Sequence, residues 1–158
     1  MGSRGTGQEI AIVGGGPAGL STALFLANAD PRATERIVVL EKARYPRDKI
    51  CGGAIAARAD DLLAGIGVQV DVPSAGVDGF SVQSRERLVC KRRGRIGRVV
   101  RRIEWDAELA RIVRARGIRI EEDVDVRGIE RDERGVTLET SRGRVQACAV
   151  VGADMIVY

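Results

Sequence analysis

The stretch IAIVGGGPAG, residues 10–19, decides the fold that this sequence predicts. An apolar run at 10–13 precedes three consecutive glycines, and Gly14, Gly16 and Gly19 together complete a GxGxxG pattern. In such a pattern the first glycine permits a tight turn, the second lets the backbone approach a phosphate, and the third lets a helix pack closely against a strand. The stretch therefore predicts a strand, a phosphate-binding turn and the start of a helix.

Two segments that follow the turn complete a β-α-β unit. Residues 17–29 have a helical pattern with Pro17 at the first position, where a missing N–H is harmless, and residues 37–40 (IVVL) predict a second buried strand. Glu41 follows that strand, 22 residues after Gly19. This is close to the ~20 residues expected for a carboxylate that holds ribose hydroxyls. The pattern predicts a parallel sheet that binds a dinucleotide without a 2′-phosphate.

Beyond residue 41 the sequence predicts a mixture of strands and helices. Residues 42–53 are expected to form a loop, and a short helix is expected at 54–63. A second helix is expected at 106–116, with Asp106 as its N-cap. The other predicted elements are strand-like runs within 77–101, a parallel strand at 118–120, a three-stranded antiparallel meander at 124–147 and a buried strand at 148–151.

The composition of the 158-residue chain excludes several classes of protein. Hydrophobic residues make up 44% and charged residues 30%, which is typical of a globular chain of about one domain. The absence of histidine excludes His-based acid–base catalysis and most zinc sites, and Cys51, Cys90 and Cys148 form no CxxC pair, so we expect no metal site. Sparse cysteines favour a reducing compartment and thus a cytoplasmic location. Cys90 and Cys148 lie in apolar strand patterns and are expected to be packed thiols.

Two other segments bear on possible partners. The uncharged stretch 10–29 is long enough to span a bilayer, but its first half carries the glycines and Pro17, so we expect no transmembrane segment. Residues 85–102 hold nine basic residues and one acid, a net charge of +8. This stretch could bind a polyanion, but it is more typical of a solvated strand face. With only five aromatic residues in the chain, no nucleic-acid partner is expected.

Five segments of the sequence resemble the geranylgeranyl reductase family, which lies within the hydroxylase and halogenase group of FAD enzymes. The first motif is typical of the fold, and the Cys-Gly-Gly-Ala-Ile run at 51–55 favours the reductases within that group. The segments are IAIVGGGPAGLSTALFLA (10–27), VVLEKA (38–43), PRDKICGGAI (46–55), RRIEWDAELA (101–110) and VVGAD (150–154).

The resemblance implies an α/β architecture. The expected fold is a Rossmann-like FAD/NAD(P)-binding fold with a parallel sheet, an antiparallel meander and an incomplete second β-rich substrate domain. The implied divisions are a loose N-terminus (1–8), the first part of the FAD-binding domain (9–75), partial substrate-domain strands (76–102), a return to the FAD-binding domain (103–154) and an end unlike the family (155–158).

The resemblance also implies which residues bind FAD. The β-α-β unit would hold the ADP half, and Arg102 would lie against the phosphate or ribityl region, unless it is a surface residue of the basic stretch. The family's CGG loop lies near the flavin ring, which points to Cys51, although a direct chemical role for this thiol stays open and no catalytic residue is assigned. The implied cofactor-binding residues are Gly14, Gly15, Gly16, Pro17, Ala18, Gly19, Glu41, Lys42, Arg102 and Asp154.

By resemblance, the expected function is that of an FAD-dependent oxidoreductase. It would transfer hydride from reduced flavin to a C=C bond of an isoprenoid-type small molecule, with NAD(P)H as a candidate electron donor. A monooxygenase- or halogenase-type enzyme and a non-catalytic dinucleotide-binding remnant are the alternatives. Relatives continue after Asp154 with a glycine, where this chain has Met155, and then with a second half. We therefore expect a truncated chain with a complementary C-terminal fragment as a partner.

Overall fold

The computed structural model describes residues 9–83, 88–133 and 135–154. The termini expected at 1–8 and 155–158 lie outside these residues. The helices of the described part are α1 (Pro17–Ala29), α2 (Ala57–Gly65) and α3 (Arg102–Ala115), and a 3-10 helix covers Pro31–Arg36. The strands are β1 (Ile10–Val13), β2 (Ile37–Leu40), β3 (Ala54–Ala56), β4 (Ser74–Gln83), β5 (Leu88–Val100), β6 (Arg119–Glu121), β7 (Val126–Asp132), β8 (Gly135–Thr140), β9 (Gly143–Ala147) and β10 (Ala149–Gly152).

A four-stranded parallel sheet in the order β10-β1-β2-β6 forms the centre of the fold. Ile10 of β1 pairs with Ile37 of β2 on one side and with Ala149 of β10 on the other. Every residue of β2 is buried, as expected for a parallel strand that is covered on both faces. The β-α-β unit and the Rossmann-like α/β class predicted from the sequence are confirmed.

Alternate residues of β1 and β2 pack into two separate cores. On one face, Ile12 and Val39 pack with α1 and α3, whose buried side chains include Leu24 and Leu109. On the other face, Ala11, Val38 and Leu40 pack with Val124, Leu138 and Ala147, the last two from strands β8 and β9. The predicted meander, β7-β8-β9, is thus an antiparallel layer beneath the parallel sheet. Burial on both faces fixes the position of the sheet edge that carries the glycine turn.

A second antiparallel sheet, in the order β3-β5-β4, extends from the helical side. Its long hairpin β4–β5 confirms the strand-like runs predicted within 77–101. Arg98 of β5 donates two hydrogen bonds of 2.9 Å to Asp60 of α2, and this links the sheet to that helix. The side chains of Phe80 and Val82 on β4 are 45% and 52% exposed.

Four predictions about single segments are wrong. The strand predicted to be buried at 148–151 forms as β10, but its residues are exposed or half-buried. Residues Ala54–Ala56 are a strand and not the start of a helix, because they pair with Val99, Arg98 and Gly97, more than forty positions along the chain. Asp106 is not an N-cap, because α3 begins at Arg102 and Asp106 is fully buried within it.

Cys148 is not a packed thiol, since it is exposed beside β10 with its Sγ atom 3.2 Å from the carbonyl oxygen of Glu9. The side chain of Cys90 lies outside the described part of the structure. Among the described residues, no helix is long and apolar enough to cross a membrane. No cluster of potential metal ligands occurs in the same part of the chain.

Candidate dinucleotide-binding site

The glycine turn lies at the carboxyl edge of the parallel sheet, between β1 and α1. Gly14 has a φ of +104°, and a Cβ atom on it would lie 2.7 Å from the backbone nitrogen of Asp154. A Cβ atom on Gly19 would lie 1.9 Å from the carbonyl oxygen of Gly14. The chain's own backbone therefore requires both glycines. β1 lies between β2 and β10 in the sheet, and open α/β sheets bind their ligands at the carboxyl ends of the strands.

Gly16 differs from Gly14 and Gly19, because open space and not backbone lies next to it. It is the N-cap of α1, it makes no side-chain capping bond, and Pro17 occupies the first turn. The nearest heavy atom to a Cβ on Gly16 is Nη2 of Arg47, at 3.9 Å. Nothing among the residues that the structure describes therefore excludes a side chain here, and the space lies over the free N–H groups of the first helical turn. The lack of a side chain at Gly16 fits a phosphate group that approaches the helix N-terminus.

Glu41 lies beside the glycine turn and is only 4% exposed. Its Oε2 atom accepts hydrogen bonds from the backbone N–H of Gly15 (2.9 Å) and from Nη2 of Arg47 (3.0 Å). Its Oε1 atom accepts a bond from the N–H of Ala43 (3.0 Å). These donors compensate for the burial of the carboxylate and fix its orientation. The two oxygens have about four lone-pair sites, so the carboxylate retains capacity for a ribose hydroxyl.

Tyr45 and Arg47 also hold the turn, and neither residue belongs to the site predicted from the sequence. The Tyr45 hydroxyl and Nη2 of Arg47 both donate to the carbonyl oxygen of Gly15. The guanidinium groups of Arg47 and Arg114 lie 5.5 and 5.7 Å from the centre of the Tyr45 ring. Burial and the charge of Glu41 raise the pKa of Tyr45 above its usual range, so its hydroxyl stays protonated and can donate. The sequence contains one indication that both residues belong to the site: they lie between Glu41 and the Cys-Gly-Gly run at 51–53.

Asp106 joins the glycine turn to the second group of predicted site residues. Its carboxylate is fully buried and accepts two hydrogen bonds of 2.7 Å from Nε and Nη2 of Arg102. Nη1 of Arg47 lies 3.3 Å from its Oδ2 atom. The hydrogen bond to Asp106 raises the pKa of Arg102. Glu41, Arg47, Asp106 and Arg102 therefore form a continuous chain of alternating charges along the site.

Cys51 lies next to Arg102 at the far end of that chain of charges. The thiol is exposed, and the N–H of Gly53 donates to its sulfur at 3.4 Å. This bond and the nearby Arg102 guanidinium lower the pKa of the Cys51 thiol. A cavity of about 350 Å³ has Lys49, Cys51 and Arg102 among its lining residues. The site residues predicted from the sequence thus fall into two groups, and Asp106 and Arg47 connect them.

The remaining predicted residues lie at the rim of the glycine turn. Lys42 and Asp154 form an exposed ion pair of 3.2 Å that joins the ends of β2 and β10. Pro17 and Ala18 belong to the first turn of α1, where the carbonyl oxygen of Ala18 accepts a hydrogen bond from the Thr22 hydroxyl.

The described part of the basic stretch 85–102 is largely neutralised by ion pairs. Each described arginine in it has a carboxylate partner within 3.2 Å: the pairs are Arg95–Asp61, Arg98–Asp60, Arg101–Glu104 and Arg102–Asp106. The side chains of residues 85–93 lie outside the described part. For residues 94–102, these pairs favour a solvated strand face over a site for a polyanion.

Comparison with known proteins identifies the family. Residues 8–157 match the model of the FAD binding domain. The chain therefore belongs to the FAD-binding domain family of flavoproteins.

Two curated relatives match shorter stretches of the chain. Conditioned medium factor receptor 1 of Dictyostelium discoideum is 34% identical over 73 residues, which is 46% of this chain and 14% of the relative. Menaquinone reductase of Mycolicibacterium smegmatis is 38% identical over 63 residues, which is 40% of this chain and 14% of that protein. These matched stretches are a small fraction of each relative's length.

Among solved structures, a geranylgeranyl bacteriochlorophyll reductase-like protein from Thermoplasma acidophilum has the same fold. It superposes with a TM-score of 0.74 at 19% identity, over 97% of this chain and 40% of that one. The residues of the turn fit the cofactor that the family implies. The open space over Gly16, the helix N-terminus and the buried Glu41 carboxylate provide the groups that a diphosphate and a ribose require.

Proposed function

We propose that this chain is the cofactor-binding part of a flavin-dependent reductase of the geranylgeranyl reductase type, which acts on a C=C bond of an isoprenoid-type small molecule. The observation that carries the proposal is the Cys51-Gly52-Gly53 loop, whose exposed thiol lies at a cavity beside Arg102. Similarity to a menaquinone reductase supports it. NAD(P)H as electron donor, a complementary C-terminal fragment and a cytoplasmic location remain parts of the proposal.

Each residue group has its own task in this proposal. The glycine turn and the N-terminus of α1 bind the diphosphate, and Glu41 accepts from the ribose of the ADP half. Arg102, held by Asp106, lies against the phosphate or ribityl region, and Cys51 lies near the flavin ring. FAD, when bound, supplies the hydride chemistry, so the contribution of the chain is to bind and orient it.

The binding part of the proposal is tested by titration of the purified chain with FAD. Gly16→Ser is the informative variant, because serine is a good N-cap that preserves the helix but fills the space reserved for the phosphate. Gly65→Ser is the matched control, since nothing lies within 4 Å of a Cβ on Gly65. We expect wild type and Gly65→Ser to retain flavin after desalting and Gly16→Ser to lose it without a loss of thermal stability. Equal retention by all three would contradict the assigned site.

The reaction is tested with the FAD-loaded chain after anaerobic reduction by dithionite. Geranylgeranyl diphosphate is added, and flavin absorbance and product mass are followed. Reoxidation together with the gain of one H₂ per reduced double bond would support the reductase. Reoxidation that needs oxygen, with an oxygenated product, would favour the monooxygenase alternative. Retained flavin without turnover under either condition would show that the isolated chain binds the cofactor but does not catalyse the reaction without the complementary fragment.

A further inference from the structure

We propose that Arg47 is a direct ligand of the FAD diphosphate, and that Glu41 and Asp106 hold its guanidinium beside the glycine turn until the cofactor binds. This inference rests on FAD binding at the turn and deepens it, because it adds a phosphate ligand from the loop that follows β2. No part of the GxGxxG pattern implies such a ligand.

The position of the guanidinium is the first support. Nη2 of Arg47 lies 3.1 Å from the carbonyl oxygen of Gly15 and is the nearest heavy atom to a Cβ on Gly16, at 3.9 Å. It therefore borders the open space over the first turn of α1. An anion in that space would meet both the free N–H groups of the helix and a fixed positive charge.

An unsatisfied donor is the second support. The Arg47 side chain is only 12% exposed, and a guanidinium has five N–H donors in a rigid plane. Nη2 donates to Gly15 and Glu41, and Nη1 faces Asp106. Nε is buried and has no hydrogen-bond partner in the described part of the chain. Because an unmade bond of a buried charged donor is unfavourable, the present partners do not fully satisfy the guanidinium, which retains a donor for a further acceptor.

The charges near the turn are the third support, because they allow Arg47 to exchange a hydrogen bond to Glu41 for one to the diphosphate. Arg47 and Arg102 balance the buried carboxylates of Glu41 and Asp106, so the four side chains have no net charge. A diphosphate that takes over Nη2 of Arg47 would free one acceptor site on Oε2 of Glu41 for a ribose hydroxyl. The N–H groups of Gly15 and Ala43 would still hold that carboxylate in place. Arg47 would therefore couple the phosphate and ribose parts of the site.

The competing explanation is that Arg47 only ties the loop to the turn and to α3. The two explanations differ in their dependence on phosphate. A purely structural arginine would affect ligands with and without phosphate to the same extent. A phosphate ligand would affect ADP and FAD and leave adenosine almost unchanged.

The test measures dissociation constants of FAD, ADP and adenosine for wild type and four variants. Arg47→Met should weaken ADP and FAD roughly 10- to 100-fold, as expected for the loss of a charged hydrogen bond, and adenosine by less than about threefold. Arg47→Lys should recover part of the affinity and keeps the test valid if the methionine variant is unstable. Glu41→Gln should weaken adenosine because it removes the ribose acceptor, and ADP by at least the same factor because it also weakens the contact that holds Arg47. Arg111→Met removes an exposed, ion-paired arginine and should change nothing.

Two results would overturn the inference. One is a loss of ADP and adenosine affinity by the same factor in both Arg47 variants, and the other is wild-type ADP affinity in Arg47→Met. A failure of wild type to bind FAD at all would instead contradict the binding site itself. The inference and the proposed function therefore fail in distinguishable ways.

Discussion

At the scale of single residues, Gly19 shows how close packing sets the geometry of the turn. Alanine would normally strengthen a helix by about 1 kcal/mol relative to glycine. At Gly19, however, a Cβ atom would lie 1.9 Å from the carbonyl oxygen of Gly14, so the turn or the helix would have to move. We expect Gly19→Ala to lower the free energy of unfolding by about 1–3 kcal/mol, as overpacking does. Urea unfolding measures this change.

Gly65→Ala is the control for the substitution at Gly19. Gly65 ends α2, and nothing lies within 4 Å of a Cβ on it. This variant should be neutral or gain roughly 0.5 kcal/mol. Equal effects of the two substitutions would contradict the close approach of α1 to the turn.

The Cys51 thiol provides a second prediction at this scale, and it concerns pH. The Gly53 N–H and the Arg102 guanidinium lower its pKa because both favour the thiolate. The thiolate is the reactive form, so alkylation of Cys51 by iodoacetamide should reach half its maximal rate at a lower pH than alkylation of a model thiol. Arg102→Met should move this midpoint upward. Mass spectrometry of the Cys51 peptide gives the rates, and a midpoint at or above that of the model thiol would refute the prediction.

At the scale of elements, local patterns predicted β1, α1 and β2 because the signals for these elements lie within them. The apolar runs predict the two strands, and Pro17 and the glycines predict the turn and the start of the helix, so the local signals agree with one another. The start of α3 was missed because aspartate is also a good N-cap. Asp106 instead uses its carboxylate to bind Arg102 one turn earlier and Arg47 on a distant loop. The pairing of β3 with β5 likewise depends on residues far apart in sequence.

The buried carboxylate within α3 gives a prediction for the stability of that helix. Asp106→Ala would leave the guanidinium groups of Arg47 and Arg102 without a buried partner, which typically costs about 3–5 kcal/mol. Glu108→Ala removes a carboxylate from the more exposed pair with Arg111 and should cost less than about 1 kcal/mol. Thermal unfolding of both variants measures the difference. Similar losses would show that the buried charges do not hold α3 to the loop.

At the scale of the whole molecule, the class of fold could be predicted but the arrangement of its layers could not. The β-α-β order indicates a parallel sheet, yet nothing local indicates that Leu138 and Ala147 of the meander pack beneath β2. The candidate site, too, could be predicted only in part from the sequence. Gly14, Gly16, Gly19 and Glu41 belong to one recognisable motif, whereas Arg47 and Asp106 come together only through tertiary packing.

The second sheet gives a prediction about the behaviour of the molecule in solution. In the described part of the chain, β4 pairs only with β5, so β4 has an open edge. Phe80 and Val82 are 45% and 52% exposed on this strand, and two neighbouring apolar side chains at an open edge favour self-association. Val82→Lys should lower the associated fraction in sedimentation velocity and change the free energy of unfolding by less than about 0.5 kcal/mol.

Ile129→Lys is the matched control for this prediction. Ile129 is 58% exposed on β7, and its cross-strand partner is the fully buried Leu138 of β8 and not a second exposed apolar residue. Single exposed apolar residues are normal on protein surfaces and do not by themselves drive association. β7 is also an edge strand of its sheet in the described part of the chain, so equal effects of the two lysine substitutions would show that the edge of β4 has no special role in association. If only Val82→Lys reduces association, the molecule associates through the edge of β4 and not through the meander that carries Ile129.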